Sequence, residues 1–169
     1  MNSKQVVAAL SVIILLVILI YPAVATGNVA VAIGGQKIDN ADHVYVTVVG
    51  VWVHERGQSN STGWKSVYNQ SQTVDLISLE NSTTPLATSQ ISVARYDAVR
   101  LTLSNVTWVF NKTTTNLLST PSNFDANIDF TLVAGRALTI NILLGGSKEV
   151  IGASKFFQGV MTVNVTEVS

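Results

Sequence analysis

The chain has 169 residues, ten Lys or Arg against ten Asp or Glu, and no cysteine. Charge this sparse and balanced, 12% of all residues, provides none of the clustered basic side chains that nucleic-acid binding requires. The lack of cysteine excludes disulfides, thiolate metal sites and cysteine nucleophiles, while the length fits one domain with a substantial core.

The first 25 residues have the pattern of an export signal. Lys4 precedes an apolar run from Val6 to Ile20, and a Tyr-Pro break is followed by Ala-Val-Ala ending at Ala25. This pattern predicts a secretory signal peptide over residues 1–25, cleaved after Ala25. The alternative is an uncleaved membrane anchor over residues 6–25, since that run is about long enough to span a bilayer. In either case we expect the remainder to be extracellular, at the cell surface.

Residues 26–36 predict a short N-terminal strand followed by a glycine hinge. Val29, Val31 and Ile33 alternate with alanines, and Gly34-Gly35 ends the run. Because adjacent glycines relax the backbone, the strand would either pair within its own domain or join the open sheet edge of a neighbouring molecule. Donation repeated head to tail makes a filament. Val29, Val31 and Ile33 are therefore the predicted donor-strand residues, and a second copy of the chain is the predicted partner.

Residues 37–169 predict a β-sandwich domain. Apolar patterning predicts strands at 44–53, 64–68, 73–79, 96–103, 128–133, 137–144 and 156–168. The run 44–53 is apolar at both odd and even positions, which predicts a strand covered on both faces. The buried parity changes after residue 103, which predicts a bulge or turn near Ser104-Asn105. The expected fold is an all-β, antiparallel sandwich of immunoglobulin-like or transthyretin-like type, preceded by the hydrophobic signal or anchor helix.

Residues that often carry chemistry occur only singly or in pairs. His54 lacks the second histidine of a zinc-protease motif, so we interpret it as a solvated strand end. Asp39 and Asp42 favour a turn over a calcium loop, and Asp125 and Asp129 are interpreted as solvated charges. We therefore expect no enzyme activity, no metal and no cofactor.

Glycines and tryptophans are likewise given structural interpretations. The segment 145–148 has the letters of a phosphate-binding loop in the wrong order, and it predicts a glycine-rich hairpin turn. Trp52, Trp64 and Trp108 are predicted to lie in the core.

The densest motif in the chain is Asn-x-Ser/Thr, the acceptor pattern for N-glycosylation. The six predicted glycosylation sites are Asn60, Asn69, Asn81, Asn105, Asn111 and Asn164. Asn164 is expected to point outward, because Met161, Val163 and Val165 occupy the opposite face of the last strand. The alternative is an Asn/Thr-rich surface without attached sugar.

The order of motifs from residue 29 to 168 resembles the family described as domain of unknown function 4382. The segments that carry the resemblance are Gly50–His54, Gly63-Trp64, Val74–Leu76, Tyr96–Leu101, Pro121-Ser122 and the last strand from Phe156. The resemblance implies an exported, often membrane-associated β-sandwich of uncertain biochemical role. The layout is also similar to subunits of thin archaeal surface filaments called threads, which implies a glycosylated head that polymerises by donating its N-terminal strand.

Together these observations predict an exported, N-glycosylated structural protein of the cell surface. The more specific prediction is a filament subunit that assembles by donor-strand exchange. The alternative is a membrane-anchored surface module that binds carbohydrate or a cation. Exposed Trp or Tyr side chains in a groove would favour sugar binding, whereas an open sheet edge would favour assembly.

Overall fold

The computed structural model describes residues 25–118, 122–151 and 154–168. Within these ranges the chain forms ten strands: β1 (Thr26–Gly35), β2 (His43–Glu55), β3 (Trp64–Tyr68), β4 (Gln72–Asp75), β5 (Thr83–Ser92), β6 (Arg95–Phe110), β7 (Thr113–Leu118), β8 (Ser122–Thr131), β9 (Ala137–Ile151) and β10 (Ser154–Val168). None of the described residues belongs to a helix with the length and apolar character needed to cross a membrane. The predicted signal peptide (residues 1–25) or anchor helix (residues 6–25) lies, up to residue 24, outside the described part of the chain.

The strands form two sheets. Sheet I has the order β10-β9-β1-β5, and sheet II has the order β3-β2-β6-β7, with β4 also pairing with β2 and β8 with β6. Strand β1 runs parallel to β9, whereas the other described pairs are antiparallel. This arrangement confirms the predicted all-β sandwich, and the parallel β1–β9 pair is its one departure from the predicted antiparallel pairing among the described strand pairs.

The core lies between the two sheets and consists mainly of aliphatic side chains. Sheet I contributes the buried residues Val29, Val31, Ile33, Leu138, Ile140, Ile142 and Leu144, and sheet II contributes Val44, Val46, Val48, Val51, Val53, Val99, Leu101, Leu103 and Val106. Each such side chain contributes roughly 1.5–3 kcal/mol on burial. A core of this size can hold the domain together without disulfides.

The bulge predicted near Ser104-Asn105 is confirmed, and it has a counterpart on the neighbouring strand. The β2–β6 register shifts between Thr47 and Val48 and again between Val48 and Gly50. The buried set therefore changes from even to odd positions along β2, and from odd to even along β6. Because both strands change together, each keeps one face on the core along its whole length.

This paired bulge corrects the prediction that residues 44–53 are covered on both faces. Tyr45 is exposed, and Thr47, Val49 and Trp52 are half-buried. The run is apolar at both parities because the inward parity changes at Val49-Gly50, not because both faces are buried.

Two strands were missed because they carry few large apolar side chains. Strand β5 is rich in Thr and Ser and contains Pro85, which lies next to a register shift against β1. Such a position tolerates proline. Strand β7 follows a two-residue turn at Asn111 and Lys112, both with positive φ. That geometry is the type I′ turn of tight hairpins, in a sequence other than the usual Asn-Gly.

Two other predicted elements differ from the structure, one in its length and one in its nature. The strand predicted over 73–79 ends at Asp75, because the Asp75 carboxylate accepts hydrogen bonds from the backbone N–H groups of Val44 and Ile77 and turns the chain. The hairpin turn predicted at 145–148 lies inside strand β9, where Gly145 and Gly146 pair with Val160 and Gly159. Small residues there make room for Gln36 and Phe157.

Candidate functional site

The outward face of sheet II carries a row of polar and aromatic side chains across four adjacent strands. Cross-strand pairing places Trp64 beside His54, Trp52 beside Arg100, and Arg100 beside Asp125. All point away from the core because side chains alternate along a strand. We call Trp52, His54, Trp64, Arg100 and Asp125 the outer-face cluster.

His54 is held rigidly within this cluster. Its Nδ1 lies 2.7 Å from a carboxylate oxygen of Asp97, and its Nε2 lies 3.2 Å from the backbone carbonyl of Ser59. The residue is only 5% exposed, and its imidazole packs at a tilt against the Trp64 indole, with 5.0 Å between ring centroids. The Asp97 hydrogen bond, helped by the Ser59 carbonyl, raises the pKa of His54 although burial opposes the shift.

Arg100 is fixed by two different contacts. Its Nε and Nη2 each donate to one oxygen of the Asp125 carboxylate at 2.7 Å, a bidentate geometry that only a guanidinium provides. Its guanidinium carbon also lies 4.0 Å from the centroid of the Trp64 ring. The Trp64 indole N–H donates to the backbone carbonyl of Asn60, so the ring itself is anchored.

The cluster borders two adjoining clefts. One, of about 500 Å³, is lined by His54, Gln58, Asn60, Trp64, Asp97, Ala98, Arg100, Asp125 and Asn127. The other, of about 340 Å³, is lined by Trp52, Trp64, Arg100, Thr102 and Asn123. Trp64 and Arg100 belong to both, so the two clefts form one groove across strands β3, β2, β6 and β8. These volumes are within the range of small-molecule sites.

The structure corrects two sequence interpretations at this site. His54 is buried and hydrogen-bonded, not solvated, and its contact with Ser59 also holds the 56–63 loop. Of the three tryptophans, Trp108 lies in the core at 3% exposure, whereas Trp52 and Trp64 are half-buried and line the groove.

Sequence reasoning missed Arg100 and its carboxylate partner as site residues. The alternation of its strand puts Arg100 on the solvent face, but nothing in the sequence indicates which strand lies beside it. The sequence does contain one indication of the site. Trp52 and His54 alternate with the core residues of β2, and Arg100 alternates with those of β6, so all three lie on outward-facing positions.

The His54–Asp97 pair predicts a pH-dependent stability. Because the folded-state pKa of His54 is raised above its ordinary value of 6.5, its protonated form stabilises the fold. This contribution is fully present below about pH 6.5 and is lost as the pH rises through the raised value. Asp97→Asn should therefore lower the melting temperature more at pH 5 than at pH 9, by no more than about 2–4 °C because Asp97 is partly exposed.

Calorimetry at the two pH values measures that difference, and an NMR titration should show the pKa of His54 falling in Asp97→Asn. The control is Asp39→Asn, which removes an exposed ion pair with Lys37 and should cost the same at both pH values. If Asp97→Asn lowers the melting temperature by the same amount at pH 5 and pH 9, the prediction is contradicted.

The six sequon asparagines occupy different environments. Asn60, Asn69, Asn81 and Asn111 lie exposed in turns or connections, and Asn164 is exposed on strand β10, on the outward face that the alternation predicts. Asn105 is half-buried within β6, and its side-chain N–H donates to Thr107 of its own sequon at 3.2 Å. Five of the six are therefore accessible to a glycan in the folded domain.

Turn geometry supplies a second reason for two of these asparagines. Asn81 has φ of 65° and Asn111 has φ of 48°, a left-handed conformation that asparagine adopts more readily than most residues. Their presence is therefore explained without a glycan, which leaves Asn60 and Asn69 as the exposed loop sequons that backbone geometry does not account for.

The predicted donor-strand residues are all part of the core. Val29, Val31 and Ile33 have exposures of 0%, 1% and 0%. Strand β1 pairs with β5 on one side and β9 on the other, so in this chain it completes its own sheet. Gly34 and Gly35 are buried within the strand and do not follow it.

Among the described residues, no group of three or more His, Asp or Glu side chains converges as metal ligands would. Asp39 pairs with Lys37, and Asp42 accepts a hydrogen bond from the Asn111 backbone, so these two do not share a site. Asp125 pairs with Arg100 and Asp129 with Arg95. Asp129 is thus ion-paired, and this contact lowers its pKa.

Comparison with known proteins gives one match. A family model described as "Domain of unknown function (DUF4382)" matches residues 26–155, which confirms the family resemblance seen in the sequence. No curated protein and no solved structure matches the chain.

Proposed function

The chain belongs to the DUF4382 family, and on that premise we propose that it is an exported, N-glycosylated structural domain of the cell surface which self-associates through strand β1. Export is inferred from the apolar segment before Ala25, and attachment to the membrane through residues 6–25 would follow if that segment is not cleaved. Neither catalysis nor nucleic-acid binding is part of the proposal.

The observation that carries self-association is the place of β1 in sheet I. It is the first of the described strands, yet it lies between β5 and β9 and hydrogen-bonds to both. Without β1, the sheet would have a gap lined by apolar core and by two unpaired strand edges. A strand from a second copy would fill that gap with the same contacts, so exchange needs no new surface.

The connection to β2 sets how far β1 could reach. Residues 36–42 lie between the two strands, and seven extended residues span about 25 Å. Gly34 and Gly35 are tightly packed, so the proposed hinge lies after them. Opening this hinge would break the hydrogen bond from Gln36 N–H to the Leu144 carbonyl. It would also expose the side chain of Ile38, which is only 7% exposed in the folded domain.

A pair of cysteines tests whether β1 is donated. Asn28 and Gln90 are exposed cross-strand partners on β1 and β5, and the native chain has no cysteine to confuse the result. In Asn28→Cys/Gln90→Cys, donation should link each subunit to the next and give a ladder of covalent multimers on a non-reducing gel. Protein recovered from the cell surface is the material to analyse.

The matched control is Thr47→Cys/Thr73→Cys. These residues are partners on β2 and β4, with hydroxyl oxygens 2.9 Å apart, and β1 takes no part in the pairing. They should give an intramolecular disulfide and a monomer band whether or not donation occurs. A monomer band from the Asn28/Gln90 pair as well, with its thiols fully oxidised, would refute strand donation.

Glycosylation is tested separately by the intact mass of the mature protein. We expect a mass above that of the bare polypeptide, with Asn60 and Asn69 occupied and with least sugar at Asn105, because that side chain is half-buried in a strand. Asn60→Gln and Asn69→Gln should each remove one glycan mass, whereas Asn105→Gln should remove little. A mass equal to the bare mature chain would rule out the glycosylated part of the proposal.

A further inference from the structure

We propose that the groove on the outward face of sheet II binds a neutral saccharide through Trp52, Trp64 and Arg100. This inference is independent of the proposed assembly, because the groove lies on the sheet opposite β1.

The groove combines an apolar indole surface with hydrogen-bonding groups. A sugar ring has patches of C–H groups and a rim of hydroxyls, and each hydroxyl both donates and accepts hydrogen bonds. The groove offers the half-buried Trp52 indole, which combines an apolar surface with a polar tip. Trp64 borders the groove with one face covered by Arg100 and its indole N–H donated to Asn60. The groove is also lined by side chains that donate or accept hydrogen bonds: Arg100, Thr102, Asn123, Asp125 and Asn127.

The polar groups of the groove are already fixed in place. Arg100 is held by Asp125 and by the face of Trp64, and Thr102 donates to Asn123 across strands β6 and β8 at 2.8 Å. The two contacts with Asp125 use only part of the guanidinium's donor capacity, and the groove is built on strands. Rigid, partly satisfied polar groups on a sheet lose little conformational entropy when a ligand binds.

The charges that line the groove are paired with one another. Arg100 is paired with Asp125, and His54 with Asp97, so among the described groove residues no basic side chain is left over to attract an anion. A nucleic acid or an acidic polysaccharide would require such excess cations. An uncharged ligand matches the groove.

A peptide is a poorer match for this surface. Peptides that add to a sheet run along an open strand edge, whereas the groove lies across the face of the paired strands β3, β2, β6 and β8. The groove also has carboxylates and amides along its floor, not the deep apolar pocket that anchors a peptide side chain.

The ligand is proposed to come from another molecule, although Asn60 lies at the rim of the groove and its own glycan is a competing occupant. The variant Asn60→Gln removes that glycan and serves as the starting protein. Cellotetraose, mannotriose and isomaltotetraose are the neutral probes, and heparin is the anionic comparison. Titrations are followed by tryptophan fluorescence and by isothermal calorimetry.

At least one neutral probe should bind, and Trp52→Ala should weaken that binding ten-fold or more. Trp52→Phe should retain part of the affinity, which separates loss of the ring from loss of the fold. The control is Tyr45→Ala, an exposed aromatic on the outward side of the same strand that does not line the groove. It should bind as the parent does, with all variants checked by circular dichroism.

Three results would overturn the proposal. The first is no binding of any neutral probe to Asn60→Gln, and the second is binding unchanged in Trp52→Ala. The third is binding by Asn60→Gln but none by the protein that carries its Asn60 glycan, because that would assign the groove to the attached sugar. Binding of heparin alone, lost in high salt, would likewise contradict a neutral ligand.

Discussion

Gly35→Ala is expected to lower the free energy of unfolding by about 3 kcal/mol or more, the upper end of the range for overpacking a protein interior. A Cβ at residue 35 would lie 1.9 Å from the backbone carbonyl oxygen of Leu76. Backbone cannot rotate out of the way as a side chain can. Either β1 or the turn after β4 must move, which would also strain the hydrogen bond from Gly35 N–H to the Leu79 carbonyl. Urea denaturation at neutral pH measures the change.

The control for this prediction is Gly57→Ala. Gly57 lies in the loop after β2 with φ of 86°, and a Cβ added there would meet no atom within 4 Å, so only its left-handed conformation is penalised. That penalty is about 1–2 kcal/mol. If Gly35→Ala costs no more than Gly57→Ala, the close approach of β1 to the Leu76 turn is not present in solution, and the glycine pair is free to act as the hinge that the sequence predicted.

The sequence predicted the fold class because most core strands carry apolar side chains at every second position. Strands β2, β6, β9 and β10 carry that signal over many residues, and the change of parity after Leu103 located a bulge correctly. Strands β5 and β7 carry no such signal. They form because neighbouring strands offer open hydrogen-bonding edges, a cause that lies in the tertiary structure and not in their own residues.

The candidate site was less predictable than the fold, for a related reason. The groove depends on which strands are neighbours, and the pairings Trp52–Arg100 and Arg100–Asp125 join residues far apart in the chain. Local pattern could show that Trp52 and His54 share one face of β2, but not that a guanidinium lies beside them. The prediction that all three tryptophans lie in the core was also wrong for two of them. It relied on the usual burial of large apolar side chains, whereas Trp52 and Trp64 are only half-buried.

Ile33→Asp is expected to unfold the domain at pH 7, the largest effect expected of a single substitution in β1. Ile33 is 0% exposed and belongs to the core. Losing a buried aliphatic side chain costs about 2–5 kcal/mol, and burying an unpaired carboxylate adds several more. The sum is comparable to the whole stability of a typical domain, about 5–15 kcal/mol. Far-ultraviolet circular dichroism and a urea titration would show the loss of the folded baseline.

The matched control is Asn28→Asp, which places the same charge five residues earlier on the exposed side of β1 and should change stability by about 0.5 kcal/mol or less. Acid should partly rescue Ile33→Asp, because burial raises the pKa of a carboxyl group and the neutral form is cheaper to bury. Its deficit relative to Asn28→Asp should therefore shrink as the pH falls from 7 to 4. Equal urea midpoints for the two variants at pH 7 would mean that Ile33 is not in the core of the molecule in solution, and the place of β1 at the centre of sheet I would have to be abandoned together with the strand exchange proposed from it.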